Sequence, residues 1–225
     1  MRRLLRIGII GAGHIGGTLA REFAAAGHQV AIAGSGGHPR TLERLAGTLG
    51  ERVRPVDVAE AARFGPVALL AIPFGRYAEL PTAEFTGRIV IDATNYLPER
   101  DGHRTDLDTG RTTSSELVQA HLPGARLVKA FNTMRWDHLR DFGHEAGAVE
   151  RYGIPLAGDD DHAKWTVADL IEQLGYHPVD AGDLAGGGRR LQSGGPVFLA
   201  DLTAGELQAA LGAPVPSFRS GHPYP

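Results

Sequence analysis

The sequence of 225 residues contains no cysteine. This absence excludes disulfide bonds, thiolate nucleophiles and zinc sites built on cysteine, and it fits a reducing compartment. Apolar residues make up 42% of the chain, which is enough for a globular core. We therefore predict a cytoplasmic protein that folds around an apolar core without covalent cross-links.

Long apolar runs and an excess of basic residues are also missing. The N-terminal stretch MRRLLRIGIIGAGHIGG places basic residues before an apolar run, as a signal peptide does, but glycines interrupt that run after only about seven residues. No segment approaches the roughly 18 apolar residues of a membrane helix. The formal charge is -3 at pH 7 and the basic residues do not cluster, so we expect neither a membrane nor a nucleic acid as a partner.

Signatures of metal and nucleophile chemistry are absent as well. The sequence has neither a G-x-S-x-G pattern nor the phosphate-binding pattern G-x-x-x-x-G-K-[ST]. His144 and Glu145 have no second histidine at helical spacing, and the run from Asp159 to His162 is typical of an acidic helix start. We expect no bound metal ion.

Short β-branched runs alternate with helical patterns through the first 130 residues. The predicted strands cover residues 5–10, 29–33, 53–56, 67–72, 88–93 and 125–130. The predicted helices cover residues 14–26 and 41–50, and a third starts at the capping-box pattern of Thr113 and Glu116. Continuous apolar strands separated by helices predict an α/β fold with a doubly wound parallel sheet.

The pattern becomes less regular after residue 138. The stretch DFGHEAGAVERYG is polar and contains glycines, as surface loops and linkers do. Beyond it we predict a strand (IPLAGD), a helix beginning near Asp159, a short strand (HPVDAG), a glycine-rich connection into GRRLQ and a last helix (TAGELQAAL). These elements either pack on the first sheet or form a small C-terminal α/β lobe. We favour the lobe, which divides the chain into domains 1–138 and 139–225, the second ending in a proline-rich tail.

Gly11, Gly13 and Gly16 form a G-x-G-x-x-G pattern between the first predicted strand and the first predicted helix. In this context the pattern predicts a Rossmann-type dinucleotide site. The first glycine permits a tight turn, the second admits a pyrophosphate close to the backbone, and the third lets the helix pack on the strand. The helix N-terminus adds unpaired amides and partial positive charge. His14 and Ile15 complete the loop, with His14 expected to be a neutral residue near the pyrophosphate.

The residue after the second strand indicates which dinucleotide is bound. In sites selective for NAD, an Asp or Glu about 20 residues past the glycines binds the ribose hydroxyls. Here Gly34 takes that place and SGGHPR follows. Without a carboxylate to repel a 2′-phosphate, Ser35 and Arg40 offer it a hydroxyl and a guanidinium, with Ser35 favoured over His38. We predict NADP(H), the alternative being a polar loop with Arg40 directed into water.

Further motifs resemble those of one family. In chain order these motifs are GAGHIGGTLA, LLAIPFGRY, VIDATNY, TTSSEL, LVKAFNT, PLAGDDDHAK and LIEQLGYHPVDAGDL. Their order is similar to that of the F420-dependent NADP oxidoreductases (NADPH:F420 reductases) and their bacterial relatives, as far as about residue 211. The resemblance implies a Rossmann domain for NADP(H), a small C-terminal domain, a homodimer and hydride transfer between nicotinamide and the deazaflavin coenzyme F420. Archaeal members carry Ser-Arg-Arg at the 2′-phosphate turn, so the resemblance supports Ser35 more than Arg40.

The resemblance also implies which residues border the nicotinamide. It puts Ile72, Pro73 and Phe74 along the cofactor, at the end of the fourth strand, where the rule for open α/β sheets independently expects the ligand crevice. It puts a second backbone segment beside the nicotinamide and its partner ring, namely Ala130, Phe131, Asn132 and Thr133. As alternatives to contact with the cofactor, Pro73 equally suits a residue that ends a strand, and Phe131 equally suits a core aromatic. From its chemistry alone, Asn95 at the end of the fifth strand is a candidate donor to a carboxamide or a ring carbonyl.

Hydride transfer between two rings needs alignment and exclusion of water more than it needs acid–base groups. Two alternatives keep the NADP site. One is a reductase of a small organic substrate, which requires a proton donor, for which Tyr77, Tyr96 and His138 are candidates. The other is a sensor that binds NADP(H) without turnover.

Coenzyme F420 carries phosphate and carboxylate groups, so a site for it needs cationic or amide-rich surface. The candidates are Arg135, Arg189 and Arg190, each of which equally suits a solvent-facing position.

Overall fold

The computed structural model describes residues 3–34, 39–143 and 150–212, without the side chains of residues 39–41. Within these ranges the strands are β1 Arg6–Ile10, β2 Gln29–Ala33, β3 Val53–Pro55, β4 Val67–Leu70, β5 Ile89–Asp92, β6 Arg126–Ala130, β7 Gly153–Gly158 and β8 His177–Asp180. Each of the six strands predicted before residue 131 is confirmed, with ends that shift by no more than about two residues.

All eight strands join one sheet in the order β3-β2-β1-β4-β5-β6-β7-β8. Neighbouring strands are parallel except β6 and β7, which are antiparallel. The chain leaves β1 toward β2 and β3 and then returns to β4 on the other side of β1. The predicted doubly wound α/β fold is therefore confirmed.

Helices cover both faces of this sheet. They are α1 His14–Ala25, α2 Pro39–Leu49, α3 Val58–Arg63, α4 Pro98–Asp101, α5 Thr105–Asp108, α6 Ser114–His121, α7 Trp136–Asp141, α8 Asp161–Gln173, α9 Gly186–Leu191 and α10 Ala204–Leu211. Short 3₁₀ helices span Phe74–Glu79 and Thr82–Phe85. Among the described helices none is long and apolar enough to cross a membrane.

Alternating side chains of the strands build two apolar layers. Ile7 and Ile9 of β1 pack with Phe23 of α1 on one face. Ile10 packs on the other face with Ala61 of α3 and Val118 of α6. Burial on both faces explains why the strands read as continuous apolar runs.

Local signals in the sequence set several helix ends. The capping box of Thr113 and Glu116 is present at the start of α6. Asp160 caps α8, since its carboxylate accepts the amide of Ala163 at 2.7 Å. Thr203 and Glu206 form a second capping box at α10. Side-chain acceptors at these positions satisfy amides that a helix start would leave unpaired.

The prediction of a glycine-rich connection before GRRLQ is wrong, because residues 186–191 form helix α9. Gly187 is buried against the end of β8, where an added Cβ would lie 2.5 Å from the carbonyl oxygen of Ala181. Packing of the helix on the sheet therefore accounts for a glycine here, although the propensity of glycine disfavours helix.

The C-terminal elements extend the same sheet. β7 pairs with β6 through Val128 and Gly158 and through Ala130 and Leu156, and β8 adds to the far side of β7. An apolar cluster of their own, including Val179, Leu191 and Leu207, packs around these two strands. The boundary between residues 138 and 139 falls inside α7. The division into two domains stays a prediction.

Candidate functional site

The carboxyl ends of β1, β2, β4, β5 and β6 meet at one edge of the sheet, because these strands are parallel. β1 and β4 lie side by side at the point where the chain changes direction, which is where ligands bind in open α/β sheets. The candidate site is built along this edge.

The glycine loop after β1 is held tightly against its neighbours. Gly11 has φ +113°, and its amide donates to the carbonyl of Ala33 at 2.8 Å. A Cβ on Gly16 would lie 1.8 Å from the carbonyl oxygen of Gly11. Larger residues at either position would break the turn, as the sequence pattern predicted.

Gly13 differs from these two glycines because a Cβ there would meet no atom of the described residues within 4 Å. Gly13 is the N-cap of α1 and supplies no side-chain cap, and the first turn of α1 contains no acidic residue. The first amides of the helix therefore lack a side-chain cap and carry partial positive charge. The cradle fits a pyrophosphate of the size and charge found in dinucleotides.

His14 leaves this loop and stacks on Trp136 at the start of α7, with ring centroids 4.8 Å apart. The stack connects the glycine loop to the segment that follows β6. Ile15, half-buried, packs against the apolar layer beneath the loop.

A groove of about 550 Å³ lies along the ends of β1, β2 and β4. Gly34, directly after β2, lines it together with Ile10, Ile72 and Arg76. The carboxylates that line it are engaged: Asp57 caps α3 through the amide of Glu60 at 2.7 Å, and Glu79 accepts from Arg76. The hydrogen bonds from Arg76 lower the pKa of Glu79.

Gly34 thus occupies the position where NAD-selective sites carry a carboxylate, as the sequence predicted. Ser35 and His38 lie outside the described residues. The backbone of Arg40 belongs to the first turn of α2, and its side chain lies outside the described part. Their roles at a 2′-phosphate stay predictions.

The segment after β4 runs beside the glycine loop, since the amide of Ala71 donates to the carbonyl of Ile10 at 2.8 Å. Ile72 lines the groove, and Pro73 follows at the start of the 3₁₀ helix. The side chain of Phe74 is fully buried and packs on Tyr77 and Tyr96. A contact between Phe74 and a cofactor would therefore involve its backbone.

The segment Ala130–Thr133 follows β6 at the same edge. Phe131 has φ +62°, and its fully buried ring packs edge-on against Phe23 with centroids 6.2 Å apart. Its side chain is thus a core aromatic, while the strained turn presents the backbone of the next two residues at the sheet edge.

Two asparagines lock this turn. Asn95 Nδ2 donates to the carbonyl oxygen of Asn132 at 3.0 Å, and Asn132 Nδ2 donates to Asn95 Oδ1 at 3.0 Å and to the carbonyl oxygen of Leu191 at 2.7 Å. Asn132 is almost fully buried, and its Oδ1 lacks a hydrogen-bond partner among the described residues. Asn95 therefore positions the turn after β6, in addition to any contact with a ligand.

Beneath these residues lies a buried ionic network that the sequence analysis missed. Lys129 Nζ donates to Asp92 Oδ2 at 3.3 Å and to the carbonyl oxygen of Thr94 at 3.0 Å. Asp92 also accepts from the hydroxyls of Ser115 and Thr94, at 2.6 and 2.7 Å. The signal was present in the sequence, since one charged residue interrupts each of two adjacent apolar strands, VIDA and LVKA.

The candidate proton donors all have structural partners. The hydroxyl of Tyr96 lies 2.7 Å from Asp108 Oδ1 and accepts the amide of Arg104, and desolvation together with the nearby carboxylate raises the pKa of Tyr96. His138 Nδ1 lies 2.7 Å from Asp201 Oδ2. Tyr77 packs on Phe74 and His121. A proton donor poised toward the crevice is not evident among the three.

The candidate arginines are engaged as well. Arg189 donates to the carbonyl oxygen of Gly110 at 2.6 Å, and Arg190 donates to the carbonyl oxygens of Leu211 and Ala181. Arg135 is exposed and pairs with Asp137 at 2.8 Å. In this structure Arg189 and Arg190 therefore connect α9 to neighbouring elements.

Among the described residues, no group of three or more His, Asp or Glu side chains forms a metal site. Asp159 accepts the amide of Leu184 at 3.0 Å and Asp160 caps α8, so the acidic run has structural roles. His144 and Glu145 lie outside the described residues.

Comparisons with known proteins agree with this geometry. Residues 6–96, which carry the glycine loop and the groove, match the family described as NADP oxidoreductase, coenzyme F420-dependent. A hypothetical protein of solved structure from Sinorhizobium meliloti is 34% identical, with a TM-score of 0.76 over 89% of this chain and 95% of that one.

Two further relatives carry names that describe an activity. A candidate F420-dependent NADP-reductase from Arthrobacter sp. FB24 is 26% identical, with a TM-score of 0.68 over 82% of this chain and 89% of that one. Metalloreductase STEAP3 of Rattus norvegicus is 27% identical over 184 residues, which are 80% of this chain and 34% of STEAP3. The chain thus spans about a third of the length of that curated relative.

Proposed function

Because the chain belongs to the family of coenzyme F420-dependent NADP oxidoreductases, we propose that it transfers a hydride between NADP(H) and coenzyme F420 or a related deazaflavin or flavin. The observation that carries the proposal is the open cradle over Gly13, next to a groove in which Gly34 stands where a carboxylate would select NAD. Both features belong to the residues that match the family.

When bound, NADPH supplies the hydride, and the acceptor ring takes it up with a proton from solvent. The chain binds and orients both rings. The amides of the α1 N-terminus hold the pyrophosphate, and the backbone of Asn132 and Thr133 borders the nicotinamide. Their carbonyls are engaged by Asn95 and by the amide of Leu199, which keeps this border rigid.

The partners of Tyr77, Tyr96 and His138 support a redox ring as the acceptor over a carbonyl or imine compound. Reduction of such a compound requires a proton donor placed within hydrogen-bond reach of the substrate. The hydroxyl of Tyr96 and the imidazole of His138 instead lie against carboxylates, and the ring of Tyr77 packs on Phe74. Hydride transfer between two rings requires that the rings are aligned and that water is excluded. The turn after β6, which the two asparagines hold in place, can supply both.

The experiment mixes the purified protein with NADPH and oxidised F420 and follows the absorbance of F420, with NADH in parallel. We expect NADPH-dependent bleaching that is much faster than with NADH. FMN replaces F420 in a second series, which separates a flavin acceptor from a deazaflavin. NADPH binding without reduction of either ring would favour the small-molecule reductase or the sensor and contradict the proposal.

Two substitutions test the cofactor choice within the same assay. Ser35→Asp and Arg40→Ala should each weaken NADPH more than NADH, since only NADPH carries the 2′-phosphate. Equal weakening of both dinucleotides would refute the assignment of this turn. The homodimer expected from the resemblance stays a prediction that light scattering of the same preparation checks.

A further inference from the structure

Strained backbone is concentrated beside the turn after β6. Among the described residues, the non-glycine residues with positive φ are Phe131 (62°), Leu199 (57°) and Asp201 (42°). Positive φ is unfavourable for Phe131 and Leu199 and persists there only where surrounding contacts enforce it, whereas aspartate adopts it more readily. Phe131 directly precedes the proposed nicotinamide border of Asn132 and Thr133, and Leu199 is bonded to Thr133, so the strain of Leu199 requires an explanation at the same place.

Residues 197–201, which we name the arch, are bonded to that border at Leu199 and anchored elsewhere at both ends. The amide of Leu199 donates to the carbonyl oxygen of Thr133 at 2.7 Å. Val197 is buried in the C-terminal apolar cluster, and Asp201 Oδ2 lies 2.7 Å from His138 Nδ1. The other carboxylate oxygen of Asp201 is buried without a partner among the described residues. The backbone of the arch is therefore strained and is held in place by these contacts.

In the middle of the arch, Leu199 is 50% exposed. Leucine is a poor choice at φ +57°, where glycine or asparagine adopts the conformation readily. An exposed leucine also buries little apolar surface in the core and therefore adds little to its stability. Neither local conformation nor core packing thus explains this residue, whereas strain at a functional site commonly serves the positioning of a ligand.

We propose that Leu199 forms an apolar wall for the hydride acceptor, and that the acceptor is a planar redox ring whose face packs on this leucine. The inference rests on the proposed function and extends it to the acceptor side. Because the amide of Leu199 is bonded to Thr133, the wall is fixed relative to the nicotinamide border. A branched aliphatic side chain there displaces water from the ring face, and hydride transfer needs a dry, aligned pair of rings.

The test replaces Leu199 by glycine and by alanine in the full chain. Glycine relaxes the backbone at φ +57° and removes the wall, so Leu199→Gly should fold at least as stably as the wild type. With NADP⁺ bound, we expect the Kd for oxidised F420 or FMN, read from the fluorescence of the ring, to rise about tenfold or more, as loss of a buried leucine contact implies. The KM for the acceptor should rise in parallel while the Kd for NADPH stays within about twofold. Leu199→Met should restore acceptor binding.

Leu4→Ala is the matched control, because Leu4 is 60% exposed and packs near Gly27, away from the arch. It should leave ring binding unchanged. Unchanged ring binding in Leu199→Gly, in a preparation whose wild type binds the ring, would overturn the inference and leave the proposed function standing. A loss of oligomeric state in Leu199→Ala would overturn it too, because Leu199 would then be a subunit contact. Failure of the wild type to bind NADPH, or to bind either ring, would instead refute the proposed function.

Discussion

The ammonium group of Lys129 lies 3.3 Å from the carboxylate of Asp92, and both side chains are fully buried between neighbouring strands. The pair is surrounded by hydrogen bonds from Thr94 and Ser115. It fixes the turn that carries Asn95, and Asn95 in turn holds the carbonyl of Asn132. A charged network inside the sheet is thus connected to the proposed nicotinamide border.

Lys129→Met should lower the free energy of unfolding by about 3–5 kcal/mol, because it leaves the Asp92 carboxylate buried without its counterion. The double variant Asp92→Asn, Lys129→Met should be more stable than the single variant, since the amide keeps an acceptor for Thr94 but carries no charge. Urea denaturation measures both. Arg63→Met, which breaks an ion pair whose side chains are 52% and 32% exposed, is the control and should cost less than about 1 kcal/mol. A similarly small effect of Lys129→Met would contradict the claim that the buried ion pair stabilises the fold.

The glycine loop offers a matched set of substitutions. Gly13→Ala should fold normally, because its Cβ meets no atom within 4 Å in the part of the chain that the structure describes, but it should weaken NADPH at least tenfold by filling the space of the pyrophosphate. Gly17→Ala places a Cβ at ordinary contact distance, 3.7 Å from Leu45, and should leave binding intact. Gly16→Ala should disrupt the loop itself. Isothermal titration with NADPH compares the three, and equal affinities for Gly13→Ala and Gly17→Ala would argue against a pyrophosphate at this loop.

The stack of His14 on Trp136 supplies a spectroscopic probe of the loop. The chain has two tryptophans, so Trp165→Phe leaves Trp136 as the sole indole. NADPH binding should change the emission of Trp136, because the ligand contacts the loop that carries its stacking partner. Trp136→Phe should lose most of the change. If the change persists in Trp136→Phe and is absent from Trp165→Phe, the dinucleotide binds elsewhere.

Acid should destabilise the protein through His28. This side chain is fully buried, its Nδ1 accepts the amide of Leu5 at 3.0 Å, and burial lowers its pKa below the ordinary value of 6.5. Below pH 6.5 the unfolded chain therefore binds a proton that the folded chain resists, and the free energy of unfolding falls toward the lower folded pKa. Each such histidine contributes a slope of at most about 1.4 kcal/mol per pH unit.

The pH dependence is measured by urea denaturation between pH 7.5 and pH 5. Burial also lowers the pKa of His177, so two histidines act in the same direction. His28→Gln should reduce the slope and leave the part that belongs to His177, and His177→Gln should do the converse. An unchanged slope in His28→Gln would show that His28 does not resist protonation.

Much of the fold follows from local signals in the sequence. Apolar runs such as VALLAI and RIVIDA predicted buried parallel strands, and the glycines at 11, 13 and 16 predicted the turn and the close helix behind it. Helix α9 was missed because helical propensity penalises glycine, while the close packing of Gly187 on Ala181 depends on contacts that no local pattern reveals.

The sequence predicted the location of the candidate site better than it predicted the contacts between its residues. The strand ends that carry Ile72, Asn95 and Asn132 do meet at one edge. The mutual hydrogen bonds of the two asparagines and the positive φ of Leu199 were not predicted, because both depend on residues far apart in the chain. The leucine at position 199 does not predict a left-handed backbone, because leucine normally avoids that conformation.

The strand order has a consequence for biosynthesis. β1 is hydrogen-bonded to β2 on one side and to β4 on the other, with Ile7 opposite Val30 and Val67. As the nascent chain leaves the ribosome, one edge of this apolar strand stays unpaired until β4 has been synthesised, after β3 and α3. Parallel pairing across such sequence distances is slow, and an open apolar edge invites association with other chains. Among the described strands, the central strand that supports the glycine loop therefore waits longest for its second neighbour during synthesis.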